Sequence, residues 1–343
     1  MFIVLILLLN QFFLLFSSYH WGNPWYSSKI EYLESKDVEL PNTYFFGSSR
    51  VYRQIDPIIF DQLYNNASHD IKKSYNLGAP ATFCPETYYL YENFIKSEIA
   101  NNVDLVFIEL MPINLISKDL MLKERTTYWQ NLSDLKFVYK SIKNNSTLRL
   151  DEKIKGVKDY FICNSYNLFD IKHLKQTLSM DNNINLAYNG PNNVGYYSLD
   201  NQLETTKDES VRSDLIHRKQ TYSLDNVVLK KRVSDLIEYH NLPNNNYDEV
   251  NLQRIIHLID ISEAKGIELV FVLPQIVLDR NLINLSKLIP KKNLIDLSSP
   301  KKFPELYKKE NIFDLGHLNS NGAEVFTKLL VNQYLENIEG DLK

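Results

Sequence analysis

Cysteine is scarce. Cys84 and Cys163 are the only two in 343 residues, which excludes a disulfide-stapled scaffold. They could form one bridge, but two buried thiols is the reading favoured here. No Cys/His pair has zinc-ligand spacing, and the seven histidines are scattered, so neither a metal nor a cofactor is expected. An excess of positive charge is also absent. The formal net charge is −4, and the pairs Lys301–Lys302 and Lys308–Lys309 have acidic neighbours and read as solvated faces. Nucleic acid is therefore not an expected partner. There is no internal repeat or low-complexity tract in the middle of the chain. Asparagine is so abundant that the N-x-S/T matches at Asn66, Asn131, Asn144, Asn145 and Asn284 carry little weight as glycosylation signals.

What is present is an ordinary globular composition, 44% hydrophobic and 23% charged, long enough for one α/β domain with insertions. The exception is the start. Met1–Ser17, MFIVLILLLNQFFLLFS, is apolar apart from Asn10, Gln11 and its final serine, and no Lys or Arg precedes it. It suits a signal-peptide core and is marginal for a bilayer span of about 20 residues. Residues 1–19 are taken as an uncleaved membrane anchor, with a cleaved signal and a buried helix as the alternatives. Either of the first two puts the remainder outside the cytoplasm, in the periplasm or at the cell surface. Residues 20–40 have no strong periodicity and read as a juxtamembrane linker to a domain spanning 41–343.

Within that domain, short apolar runs alternate with helical patterns. TYFFGSS (43–49), KSYNLGAP (73–80), VDLVFIELMP (103–112), GIELVFVLP (266–274) and NLIDLS (293–298) have the profile of buried parallel strands. Asp56 and Pro57 mark a helix start, and Pro85, Glu249 and Ser320 open or precede further helical stretches. The pattern predicts a three-layer α/β sandwich around a mostly parallel sheet of about five strands, with its working loops beyond the strands' carboxyl ends. Between about 115 and 248 the alternation stops. That stretch predicts a largely helical insertion, with helices near 133–143 and 225–240, that helps to form a substrate groove but offers no chemistry of its own.

Two segments carry chemistry. FFGSSRVYRQIDP (45–57) puts Ser49 in a tight turn after a buried strand, the way an activated nucleophile is presented. IFDLGHLNSNGAEVF (312–326) places Asp314 and His317 three residues apart on one loop. There the histidine can take the serine proton while the aspartate fixes its tautomer. Each string has a plainer reading alone: a common Gly-Ser turn, and a loop whose Asp314 caps a helix beside a surface or core histidine. Their joint placement after the first and last strands favours a Ser49–His317–Asp314 triad.

These blocks resemble the SGNH/GDSL hydrolase superfamily, whose first block has Gly-Asp-Ser after the first strand and whose last has Asp-x-x-His before the final helix. Here the first block is Gly47-Ser48-Ser49, with Ser48 at the usual aspartate position, and the last is Asp314-Leu315-Gly316-His317. The Gly-Ser-Ser form is similar to membrane-tethered, extracytoplasmic acyl-transfer relatives, such as the alginate acetylation proteins and the D-alanyl transfer protein of teichoic acid synthesis. The resemblance covers residues 43–112 and 266–336 and implies an SGNH/flavodoxin-like fold. It also implies an oxyanion hole built from Ser49 N–H and from Gly78 N–H of the second block, with Asn76 just before it. Gly78 reads equally well as a simple turn glycine. The family's third block, Gly-x-Asn-Asp, has no match here. Asn114 is the stand-in for its asparagine donor, or else an ordinary loop asparagine, and Glu109 reads as a structural ion-pair partner of Arg50 or Arg53.

The expectation is acyl chemistry, of the O-acetyl type, on a cell-envelope polysaccharide or glycan through an acyl-Ser49 intermediate, by an O-acyltransferase or an esterase. A membrane-bound acyl-donating protein is the partner a transferase would need. The alternative is a non-catalytic, membrane-tethered glycan-binding or assembly component on the same scaffold.

Overall fold

The computed structural model describes residues 18–35, 38–68, 70–113, 124–130, 132–145, 148–169, 185–224, 226–241 and 246–341, together with residues 5, 8, 9 and 12. The elements in chain order begin with α1 (Pro24–Leu33), β1 (Thr43–Phe46), α2 (Ser49–Gln54), α3 (Pro57–Ala67), β2 (Ser74–Asn76), α4 (Cys84–Phe94) and β3 (Leu105–Glu109). The insertion follows as α5 (Glu124–Thr127), α6 (Leu132–Asn144), α7 (Leu150–Phe169), α8 (Leu199–Thr205), α9 (Glu209–Leu224) and α10 (Asn226–Asn241). The chain then returns to the sheet through α11 (Glu249–Glu263), β4 (Glu268–Leu273), α12 (Arg280–Ser286), β5 (Leu294–Asp296) and α13 (Ser320–Asp341).

The five strands are all parallel in the order β2-β1-β3-β4-β5, with Thr43 beside Ser74, Phe46 beside Ile108 and Ile108 beside Phe271. This is the expected α/β sandwich, in the doubly wound order that reverses direction between β1 and β3. Every residue of β1 and β3 is buried, as a sheet covered on both faces requires. Side chains alternate between the faces. Tyr44 and Phe46 pack on Phe94 of α4 at ring separations of 4.9 and 5.1 Å. Phe45 points the other way, onto Phe60 of α3 (5.1 Å) and Phe107 (5.2 Å), which in turn meets Tyr334 of α13 at 5.2 Å. Asp56 caps α3 by accepting from Ile58 N at 2.9 Å, with Pro57 at the first helical position, as the sequence predicts.

Residues 20–40 are not simply a linker. Asn23 caps α1 by accepting from Tyr26 N, Pro24 follows it, and Tyr26, Ile30 and Leu33 enter the main hydrophobic core. The apolar spacing is helical, but Lys29 lies on the same buried face and hides the stripe from a reading by hydrophobicity. Among the described residues no helix is long and apolar enough to cross a membrane; most of the expected anchor, Met1–Ser17, lies outside them. Cys84 and Cys163 are both buried and unbridged.

Just before α1, burial pulls the His20 imidazole down from 6.5 to about 4. A group lowered in the fold binds more protons when unfolded, so its contribution is complete above pH 6.5 and declines as the pH falls from there to about 4. Thermal melts are expected to show a stability loss across that window that His20→Gln largely removes, and equal pH slopes in the two proteins would contradict it.

Candidate active site

β1 ends at Phe46, and Gly47 and Ser48 turn the chain into α2, whose first residue is Ser49. A Cβ at Gly47 would lie 2.4 Å from Val51 Cγ2 and 2.7 Å from Glu109 Cβ, so only glycine lets the turn pass this close to β3. Ser48 caps α2 by accepting from Arg50 N at 3.2 Å, and its own N–H donates to Glu109 Oε2 at 2.7 Å. Glu109, the last residue of β3, is 1% exposed. Arg50 Nε stands 2.8 Å from its other oxygen, close enough for strong charge attraction although the N–H is not aimed along the contact. Glu109 therefore pairs with Arg50. Arg53 instead donates to Tyr197 O at 2.7 Å and Gln202 Oε1 at 2.6 Å, both in the insertion.

At the other end of the chain, Ile312 and Leu318 form an antiparallel bridge, and Phe313 N donates to His317 O at 2.9 Å. The loop is thereby folded so that Asp314 and His317 face the turn after β1. Asp314 Oδ1 accepts from Gly316 N (2.8 Å), His317 N (3.0 Å) and His317 Nδ1 (2.8 Å). His317 Nε2 lies 2.8 Å from Ser49 Oγ. An ionised carboxylate only accepts, so Nδ1 carries the proton and Nε2 is left to accept from the serine hydroxyl. Burial alone would raise the Asp314 carboxyl. The hydrogen bond and charge of His317, the Gly316 N–H and the charge of Arg218 outweigh it and hold the group well below the usual carboxylate range.

The structure thus brings Ser49, His317 and Asp314 into one hydrogen-bonded chain, while Gly78 and Asn76 make hydrogen bonds to other groups. Gly78 N donates to Asn76 Oδ1 at 2.9 Å within the buried interior, so it is not presented as an oxyanion donor. Asn76, fully buried, spends its amide on Val51 O and Ile55 O, both at 2.8 Å. Asn76 thereby braces α2, and Gly78 N–H fixes the Asn76 side chain. With both amide hydrogens on backbone carbonyls, Asn76 has no N–H left to offer an oxyanion. Asn114 lies outside the described residues. Ser49 N–H, at the first position of a helix, has no intrahelical acceptor and is the expected donor that the fold leaves in place.

Two further contributors escaped the sequence reading. Lys29 of α1 is fully buried, and its Nζ donates to Asn76 O (2.8 Å), Gly78 O (2.6 Å) and Gly195 O (2.7 Å) while lying over the Tyr52 ring. Burial, with the nearby Arg53 charge, pushes its pKa well below the ordinary lysine value. This one amine joins α1, the loop after β2 and the insertion segment in which Val194 O accepts from Asn76 N at 2.9 Å. The second contributor is α9. Arg218 Nε donates to Asp314 Oδ2 at 3.0 Å and its Nη2 makes a second contact with the same oxygen, while Arg232 of α10 donates to Leu315 O at 2.6 Å. The insertion, expected to offer no chemistry, therefore grips the Asp-His loop directly. One arginine among the charges of a highly charged helix gives no advance sign of this.

Among the described residues no cluster of three or more His, Cys, Asp or Glu side chains is arranged to hold a metal ion. No protein-family model matches the chain, and no curated protein sequence matches it either.

Proposed function

We propose that the protein is a serine-dependent acyl-transfer enzyme of the SGNH type, acting on ester groups of a cell-envelope glycan. The observation that carries this reading is the hydrogen-bonded chain from Ser49 through His317 to Asp314, set beyond the carboxyl end of β1 where the sheet order reverses. Its support from sequence is the resemblance of Gly47-Ser48-Ser49 and Asp314-Leu315-Gly316-His317 to the first and last blocks of that superfamily. In the proposed reaction Ser49 Oγ attacks the ester carbonyl as His317 Nε2 takes the hydroxyl proton, and Asp314 stabilises the imidazolium. The negative oxygen of the tetrahedral intermediate faces the Ser49 N–H. Collapse breaks the carbon–oxygen bond of the leaving alcohol, which receives the proton from His317, and leaves acyl-Ser49. A second hydroxyl, from water in an esterase or from a sugar in an O-acyltransferase, then gives its proton to His317 as its oxygen bonds the acyl carbon; collapse breaks the bond to Ser49 Oγ, which takes the proton back from His317.

The apolar Met1–Ser17 segment supports a membrane-tethered domain outside the cytoplasm, where a membrane-bound acyl donor would serve the transferase form. A non-catalytic glycan-binding role is the second reading, and the commitment of Gly78 and Asn76 to internal bonds favours it. A fluorophosphonate probe separates the two. Labelling confined to Ser49 is expected in lysate with a permeant probe, and on intact cells with an impermeant one. Folded protein that takes no label would favour the binding role; label in lysate but none on cells whose outer barrier has been opened would put the domain on the cytoplasmic side.

A further inference from the structure

A triad aspartate needs one partner, the imidazole it orients. Asp314 has two, on opposite oxygens. Oδ1 holds the His317 ring and two N–H groups of its own loop, while Oδ2 is taken by the Arg218 guanidinium from the insertion. Asp314 and His317 side chains are 12% and 20% exposed and Arg218 is 33% exposed, so the guanidinium is partly shielded from screening water.

The other charged groups around this loop are largely matched. Asp214, one helical turn from Arg218, is 3.5 Å from its Nη1 and mostly exposed. Lys219 pairs with Asp200 at 2.7 Å and lies over the Phe313 ring, and Asp200 also accepts from Ser320 N at 2.7 Å. Arg232 is bonded to the Leu315 carbonyl, Arg50 is paired with Glu109, and Arg53 is bonded to neutral acceptors. Arg218 is thus the cation in direct contact with the carboxylate that faces His317.

We propose that Arg218 is a positioning residue of the active site: by sharing Asp314 with His317 it holds the carboxylate in place, weakens its pull on the imidazolium, and makes α9 of the insertion part of the catalytic apparatus. The proposal rests on the acyl-transfer reading for its kinetic consequence, and on the Asp314 contacts alone for its electrostatic one. With Arg218 in place, part of the carboxylate's negative charge is answered from the far side. Without it, the full charge bears on the ring, the protonated imidazole is favoured, and a higher pH is needed to obtain the neutral base.

The test uses the full chain, as wild type, Arg218→Gln and Arg218→Lys. Two readouts are taken: the pH profile of kcat/KM on an activated acetyl ester, and the pH midpoint of the His317 ring resonances, assigned by their loss in His317→Gln. In Arg218→Gln the acid limb and the resonance midpoint should both move up by about 0.5–1 pH unit, because a contacting opposite charge shifts a neighbour by more and the ring is one carboxylate removed. The plateau should fall by roughly 10-fold as the carboxylate loses an anchor. Arg218→Lys, which keeps the charge but not the two-point contact, should lie between the two and is the variant to use if the glutamine protein does not fold. A midpoint that stays within about 0.2 unit of wild type, or moves down, overturns the proposal whatever the activity. A wild type that turns nothing over while its resonance midpoint still answers to Arg218 would refute the acyl-transfer reading and leave the electrostatic role of Arg218 standing.

Discussion

Ser49→Ala and His317→Ala are each expected to cut turnover of an activated acetyl ester by about 10^4- to 10^6-fold, and the double variant to lose little more. The reason is the single proton path. His317 Nε2 is 2.8 Å from Ser49 Oγ and has no role in acyl transfer apart from that hydroxyl and the alcohol that replaces it. Removing either end leaves the other with nothing to act on, so the two losses do not add. Asp314→Asn is the more informative change. An amide has one acceptor and two donors, whereas Asp314 receives N–H groups on both oxygens: Gly316, His317 N and the ring on one, Arg218 on the other. Whichever way the amide turns, its NH2 opposes donors. If it faces the ring, His317 is forced into the tautomer that cannot accept from Ser49. A loss of roughly 10^3- to 10^4-fold is expected, with a melting point lowered by the unmatched donors. Acetate release, measured beside the fluorophosphonate labelling rate of Ser49, checks all three variants. Wild-type-like release from a folded Ser49→Ala protein would end the nucleophile assignment.

The parts of the fold that could be read from sequence are those with local signals. β1, β3 and β4 are apolar apart from one terminal residue each, and α3 announces itself by the Asp56–Pro57 cap and start. The chain could also be seen to place Ser49 after the first strand and Asp314 and His317 before the last helix, because strand ends and loop spacings are local properties. What could not be read is whatever depends on one side chain reaching across the fold. Lys29 belongs to a buried helix face because three carbonyls from two distant segments converge on its amine. No propensity records such a convergence. Gly78 carried a strand-then-glycine signature that suits an oxyanion loop, yet the neighbouring Asn76 claims its N–H, a matter of side-chain rotation rather than of spacing. Arg218 sits in α9 among Arg212, Asp214 and Lys219, where a charged residue normally means a solvated face.

These unread contacts share a direction. Asn76 holds the carbonyls of Val51 and Ile55 at the far end of α2, Lys29 holds the end of β2 that carries Asn76, and Glu109 holds the N–H of Ser48 at the near end. α2 has only six residues, too few to be stable on its own, so its position and that of Ser49 at its head are set by neighbours. The placing of Ser49 at the head of so short a helix is a tertiary property. It is also why Lys29, in a segment that reads as a linker, bears on the site.

Glu109 is where that dependence should show most strongly. Its carboxylate is buried at the end of β3 and has two tasks, accepting the Ser48 N–H at 2.7 Å and facing Arg50 at 2.8 Å. Glu109→Ala leaves an arginine beside a cavity and a buried N–H without an acceptor, and the loss of one partner of a buried pair costs about 3–5 kcal/mol. Arg50 is 21% exposed and can turn partly to water, which places the expected cost at the lower end of that range. Glu109→Gln separates the two tasks, since its amide oxygen can still accept from Ser48 while its NH2 repels the guanidinium. It should lose about 1–3 kcal/mol and keep the turn better placed. Urea unfolding with an unchanged slope would read the stability terms. The labelling rate of Ser49, taken at a urea concentration where each variant is still folded, would read the geometry, and it should fall further in Glu109→Ala than in Glu109→Gln. If Glu109→Ala matched wild type in both measurements, the Ser48 N–H contact would not be what fixes the nucleophile turn. The close approach permitted by Gly47, where a Cβ would come within 2.7 Å of Glu109, would then have to serve packing alone.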